Sequence, residues 1–186
     1  MNTQRLFLVL FLSLTFSHSV YAADLAAGEQ KAAACASCHG QNGNSNNAQW
    51  PILAAQQSNY IVNQLKAFKA GERINPMMQS MAAGLTDSDI NNLAAFFSSQ
   101  KPVKNNSDSA LAKLGEAKAA MCLGCHGSSG AGNGQFPRLA GQHPDYLVRQ
   151  LMAFKTGSRK SGPMQAITSN FNESDFKELA AYFGSL

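Results

Sequence analysis

Two pentapeptides carry the most evident chemistry of this 186-residue chain, Cys35-Ala36-Ser37-Cys38-His39 and Cys122-Leu123-Gly124-Cys125-His126. They use all four cysteines and two of the four histidines. Each is a Cys-x-x-Cys-His string, the pattern of covalent c-type haem attachment. Two thiols three positions apart on a helical turn can both reach the vinyl groups of one porphyrin and form thioethers. The adjacent histidine then sits under the ring and offers an imidazole nitrogen to iron. A thioredoxin-like redox pair, a zinc site shared by two Cys-x-x-Cys knuckles and plain disulfides are the competing chemistries. A redox pair would follow a strand, whereas alanine-rich helical sequence precedes both strings. Shared zinc would not need a histidine directly after each second cysteine. Two haem c groups are expected, one on Cys35 and Cys38 with His39, the other on Cys122 and Cys125 with His126.

The elements that must position these groups occur twice. Setting residue n against n + 86 aligns Trp50-Pro51-Ile52-Leu53-Ala54 with Phe136-Pro137-Arg138-Leu139-Ala140. The same register matches Gln64-Leu65-Lys66-Ala67-Phe68-Lys69 with Gln150-Leu151-Met152-Ala153-Phe154-Lys155, and Leu93-Ala94-Ala95-Phe96-Phe97 with Leu179-Ala180-Ala181-Tyr182-Phe183. The haem strings are offset by 87, so one residue differs in the Gly/Asn loop after each, where an insertion is tolerated. A polar linker with a proline, 102–107, separates a first domain, 23–101, from a second, 108–186.

Each copy reads as helical. A first helix, about Leu25 to Ser37, runs into the haem string, and its copy spans about Ala110 to Gly124. A second begins at Ser58 as N-cap, sets Ile61, Leu65 and Phe68 on one face and stops at Gly71. A last helix starts at Thr86 with Asp89, and its copy at Asn172 with Asp175. No stretch alternates well enough to demand a sheet. The expected fold class is all-α, two tandem small domains, each holding one covalent haem c.

The second axial ligand decides between a carrier and an open catalytic iron. Methionine suits electron transfer, because its soft thioether favours ferrous iron. Met78 pairs with Met164, each followed by glutamine, and these two are the expected ligands. Met77 pairs with Pro163 and Met81 with Ile167; Met77 becomes the rival only if two compensating gaps are opened. Filling core space is the plainer role for all of them. His143 aligns with Gln57 and reads as a surface residue in a turn. Tyr60 and Tyr146 read as core aromatics whose hydroxyls need a partner. Arg73 and Arg159 match in register, with either haem propionates or solvent as their partner.

The N-terminus reads as an export signal, 1–22, with Arg5, an apolar run from Leu6 to Leu14 and small residues before Ala23. That run is short for a membrane span, so an uncleaved anchor ranks second. Export agrees with periplasmic haem attachment. The formal charge is +4 at pH 7. Residues 23–101 carry five basic and five acidic side chains, and residues 108–186 eight basic and six acidic. No basic stripe with interleaved aromatics marks a nucleic-acid surface, so no such partner is expected.

With these residues in hand, the mature chain resembles the dihaem class I cytochromes c, specifically the cytochrome c4 family. The marks are the tandem Cys-x-x-Cys-His, the Pro-x-Leu-Ala-(Ala/Gly)-Gln strings at 51–56 and 137–142, the matched Met78 and Met164, and the Leu-Ala-Ala-(Phe/Tyr)-Phe endings. The resemblance implies a small cytochrome c fold in each half and a pseudo-twofold packing that brings the haem edges close. It implies that Pro51 presents its carbonyl to His39 and Pro137 to His126, and that Leu53 and Leu139 pack on the haem planes. The first repeat has Ala55 where the second has Gly141, which leaves the conformation of that loop open.

The function so implied is electron transfer, with no catalytic residues in this chain. The implied partners are a quinol-oxidising bc1-type complex and a terminal oxidase such as the cbb3 type, with loose association at the membrane surface. A dihaem electron-accepting subunit of a sulfide- or thiosulfate-oxidising enzyme is the alternative. A gas sensor or peroxidase with a five-coordinate iron is the third reading, and the paired methionines oppose it.

Overall fold

The computed structural model describes residues 23–103 and 107–186. The expected export signal, 1–22, and residues 104–106 of the linker lie outside them. Among the described residues the chain is helical, with one isolated bridge between Asn133 and Phe136 and no strand. The first half runs α1 (Leu25–Ala32), a tighter turn over Ala33–Cys35, α2 (Ala36–His39), α3 (Ser58–Lys69), α4 (Pro76–Ala83) and α5 (Asp87–Ser99). The second repeats it as α6 (Ser109–His126), α7 (Pro144–Lys155), α8 (Gly162–Thr168) and α9 (Glu173–Ser185). A single helix, α6, thus spans what the first half builds from α1, the tight turn and α2.

Local chemistry explains where the helices begin. Thr86 and Asp89 form a reciprocal capping box at α5, and Asn172 and Asp175 form its copy at α9. Ser58 is the first helical residue of α3, not its cap. The cap position is Gln57, whose side-chain amide is engaged elsewhere and donates to the Ala131 carbonyl of the other half at 2.9 Å. The apolar spacing singles out neither α4 nor α8. Asn75 accepts from the Met78 N–H at 3.0 Å and Pro76 opens α4, so a cap and a proline at the first turn start this short helix.

The principal helix–helix contacts lie within each half. α1 lies across α5 and α6 across α9. Glycine permits these crossings: a Cβ on Gly28 would stand 2.3 Å from the Asn92 carbonyl oxygen, and one on Gly115 2.0 Å from that of Glu178. Two matching cores result, Ala32, Ile61, Leu93, Ala94 and Phe97 in one, and Ala119, Leu147, Leu179, Ala180 and Phe183 in the other. Burying each large member contributes about 1.5–3 kcal/mol.

The repeat register locates the single inserted residue. Gly43 accepts from the Leu53 and Ala54 N–H groups, as Gly130 does from Leu139 and Ala140, an offset of 87. Ser45 and Ala131 are also equivalent, at an offset of 86, because each accepts a side-chain donor from the opposite half. Asn44 is therefore the extra residue. Its amide donates to the Lys101 carbonyl at 3.0 Å and accepts from the Val103 N–H at 2.9 Å, pinning the start of the linker.

The loop left open by the sequence takes one conformation in both halves. Ala55 has φ 55° and Gly141 φ 71°. Both donate their N–H to the end of the last helix, Ala55 to Phe97 and Gly141 to Phe183.

Candidate haem sites

A large cavity lies against each attachment string, about 480 Å³ at the first and about 660 Å³ at the second, and both halves contribute to the lining of each. Cys35, His39, Met78, Leu53 and Trp50 line the first. Cys122, Cys125, His126, Met164, Leu139 and Phe136 line the second. Cys38 sits half-buried on α2 beside these groups. The two Cys-x-x-Cys strings thus open into separate cavities, which is what two haem groups require and one shared zinc does not. Burial, together with the neighbouring cysteine, pushes the Cys35 and Cys122 thiols above their ordinary range.

The histidines are set for metal binding by a backbone partner. Nδ1 of His39 lies 2.9 Å from the Pro51 carbonyl oxygen, and Nδ1 of His126 2.8 Å from that of Pro137. A carbonyl can only accept, so Nδ1 carries the proton and Nε2 keeps its lone pair. Burial lowers the pKa of both rings, against the smaller opposing effect of the carbonyl. A buried neutral imidazole with Nε2 free is the protonation state that an iron ligand needs.

The methionines differ in placement. Met78 on α4 and Met164 on α8 are half-buried and line the two cavities. Met77 is 50% exposed and does not line the first cavity. Met81 does line it, as its counterpart Ile167 lines the second, so that position serves as apolar wall in both halves.

Between the cavities stands a wall common to both, built from Tyr60, Gln64, Arg73, Gln150 and Arg159. Arg73 donates to Gln64 of its own half at 2.7 Å, then across to the Tyr146 hydroxyl at 3.0 Å and Gln150 at 2.8 Å. Arg159 does the converse, to Gln150 at 2.7 Å, the Tyr60 hydroxyl at 2.7 Å and Gln64 at 2.9 Å. When residue i meets j of the other half and the copy of i meets the copy of j, the interface is isologous, the mark of a twofold. Each tyrosine hydroxyl has the partner it needs, an arginine of the opposite half, and neither arginine is merely solvated. For Tyr60, burial pushes the hydroxyl upward, but Arg159 and Arg73 together prevail and hold it below the ordinary tyrosine range.

His143 is buried, not on the surface. Its Nε2–H donates to the Ser45 carbonyl of the first half at 2.9 Å, the counterpart of the Gln57–Ala131 bond. Gln56 and Gln142, absent from the expected site, are buried in the same interface and hold the backbone beside the histidine loops. Their equal offset in the repeat was the available signal.

The residues present fit two haem groups. The cavity walls combine thiols, a neutral imidazole, a thioether and apolar side chains. The shared wall holds two guanidiniums for which no ion pair occurs among the described residues. Nε of Arg138, which lines the first cavity, is a buried donor without a partner. Unneutralised half-buried cations and an orphan buried donor suit the propionates of a porphyrin.

Such a pair of cavities, each with its own attachment string and both sharing a wall contributed by the two halves, defines a dihaem c-type cytochrome. The family model for cytochrome c matches twice, over residues 25–101 and 112–186. Cytochrome c4 of Pseudomonas aeruginosa is 37% identical over the whole of both chains. The crystal structure of reduced recombinant cytochrome c4 from Pseudomonas stutzeri superimposes with a TM-score of 0.83 at 36% identity, covering 89% of this chain and all of that one. A thiosulfate dehydrogenase electron acceptor of Stutzerimonas stutzeri is 34% identical over 83% of this chain and 80% of its own. The chain belongs to the cytochrome c4 family, and it is a dihaem electron-transfer protein of that type. Among the described residues no helix is long and apolar enough to cross a membrane.

Proposed function

We propose that the protein carries electrons in the periplasm from a quinol-oxidising bc1-type complex to a terminal oxidase such as the cbb3 type, in loose association with the membrane surface where both reside. The observation that carries this reading is the shared wall. It places two matched cavities back to back, so that an electron entering at one site has the second as its nearest neighbour. A bound haem c supplies one-electron iron chemistry, and the residues of this chain do the remainder.

In this reading Cys35 and Cys38 hold the first haem covalently, and Cys122 and Cys125 the second. His39 with Met78, and His126 with Met164, are the axial ligands. Pro51 and Pro137 accept the Nδ1–H of each histidine and so fix its tautomer. Arg73, Arg159, Tyr60, Tyr146 and Arg138 receive the propionates. Two ligands that stay in place in both oxidation states keep reorganisation small, which favours transfer over substrate binding. The thiosulfate dehydrogenase electron acceptor among the relatives supports a second reading, in which a sulfur-oxidising enzyme is the donor.

The test is a spectroelectrochemical titration of the protein beside Met78→Ala and Met164→Ala, followed by mixing the reduced protein with an isolated terminal oxidase. Each substitution is expected to abolish or lower one one-electron step and leave the other, and the oxidase to reoxidise both haems. Variants with undisturbed spectra would overturn the ligand assignment. Haems that stay reduced before the oxidase would overturn the carrier role.

A further inference from the structure

The amide between Pro51 and Ile52 has partners at both ends. Its carbonyl oxygen, on Pro51, accepts from His39 Nδ1–H at 2.9 Å. Its N–H, on Ile52, donates to Oε1 of Gln142 in the other domain at 2.9 Å. Gln142 also donates through Nε2 to the Ile52 carbonyl at 2.9 Å, so it grips this backbone at two points. The copy runs the other way. The Pro137 carbonyl accepts from His126 at 2.8 Å, the Arg138 N–H donates to Gln56 Oε1 at 2.7 Å, and Gln56 Nε2 donates to the Arg138 carbonyl at 3.1 Å. Both glutamines are 6% exposed. Each Oε1 accepts a further N–H from the next residue of its own chain segment, His143 at 3.0 Å and Gln57 at 2.9 Å, which fixes the amide's orientation.

A peptide unit is planar and conjugated, so an acceptor at its N–H sets the direction of its carbonyl. It also raises the negative charge on the oxygen, because hydrogen bonds in a chain polarise one another by about 10–30%. A more negative oxygen draws the histidine proton more strongly and makes the ring a better donor to a metal. Better donation favours ferric over ferrous iron.

We propose that Gln142 is a positioning residue for the first-domain haem and Gln56 for the second, each acting across the domain boundary through a planar amide on the other domain's ligand histidine. The two reduction potentials are thereby set in part by the opposite domain, and the interface tunes both centres. This rests on His39 and His126 being the iron ligands.

The experiment is a potentiometric titration of the dihaem protein carrying Gln142→Met or Gln56→Met, which keep side-chain length but remove both bonds. Met78→Ala identifies which step belongs to the first domain. Gln142→Met is expected to shift the first-domain equilibrium towards the reduced form by up to about tenfold, which is about 59 mV for one electron, with the second unmoved. Gln56→Met should do the reverse. Gln57→Met removes the side-chain Gln57–Ala131 bond across the same boundary but keeps the backbone N–H that meets Gln56, and is expected to move neither step. Gln142→Asn, which keeps an amide too short to reach, should act in the same direction as Gln142→Met and stands in if that variant does not mature.

In a second readout, Gln142→Met should speed hydrogen exchange at the His39 Nδ1–H of the ferrous protein and leave His126 unchanged. Potentials that do not move, that move in the domain carrying the substitution, or that move equally in Gln57→Met overturn the proposal. A first haem whose spectrum survives His39→Ala would instead remove the ligation reading on which it rests.

Discussion

Ala55 is the residue where the two halves set up a natural experiment. It holds a left-handed backbone that Gly141 holds in the other half without steric cost. A Cβ at Gly141 would meet nothing nearer than 3.9 Å, so backbone conformation alone separates the two positions. Ala55→Gly is therefore expected to raise unfolding stability by about 1 kcal/mol and Gly141→Ala to lower it by a similar amount. Denaturant titration of the two variants checks this, and a neutral Gly141→Ala would contradict it. Much at this scale was legible in the sequence. The attachment strings stood out because covalent chemistry dictates their spacing, and Met78 and Met164 because the repeat matched them. His143, Gln56 and Gln142 were not read correctly or were passed over. Their burial and partners are created by the opposite domain, and periodicity within one copy carries no trace of that.

At the scale of the element, charge and small residues hold the crossed helices. Lys31 of α1 pairs with Asp89 of α5 at 3.0 Å, and Lys118 of α6 pairs with Asp175 and Glu178 of α9. The Thr86 N–H foremost, then Lys31 and the Thr86 hydroxyl, hold the Asp89 carboxyl at about 2. Lys118, followed by the Asn172 N–H, holds Asp175 below the usual carboxylate range. A depressed carboxyl contributes stability above its unfolded value of about 3.9 and loses it as pH falls towards the folded value. The melting temperature is therefore expected to fall between about pH 4 and pH 2, and Asp89→Asn to flatten that slope; a slope unchanged in the variant would contradict the assignment. α3, α5 and α9 were legible because their apolar residues recur at helical spacing, and α5 and α9 also carry explicit capping boxes. The short helices α4 and α8 were not, since seven or eight residues offer too little periodicity. They nevertheless carry the two matched methionines.

At the scale of the molecule, duplication produces a dihaem unit in which polar side chains, not packed helices, join the halves. The arginine–tyrosine–glutamine wall, the histidine and glutamine bonds to Ser45 and Ala131, and the two glutamine grips all occur as reciprocal pairs. Pseudo-twofold packing was anticipated from family resemblance, but its chemistry was not, because a repeat shows which residues correspond and not which ones meet. In the proposed carrier both irons are closed on each side by protein ligands and exchange electrons without binding substrate. Reductive titration of the intact protein under carbon monoxide at neutral pH probes both ligand faces at once. Uptake of two electrons per chain with no carbon monoxide adduct is the predicted result; an adduct at either ferrous haem, or uptake of fewer electrons, would contradict it.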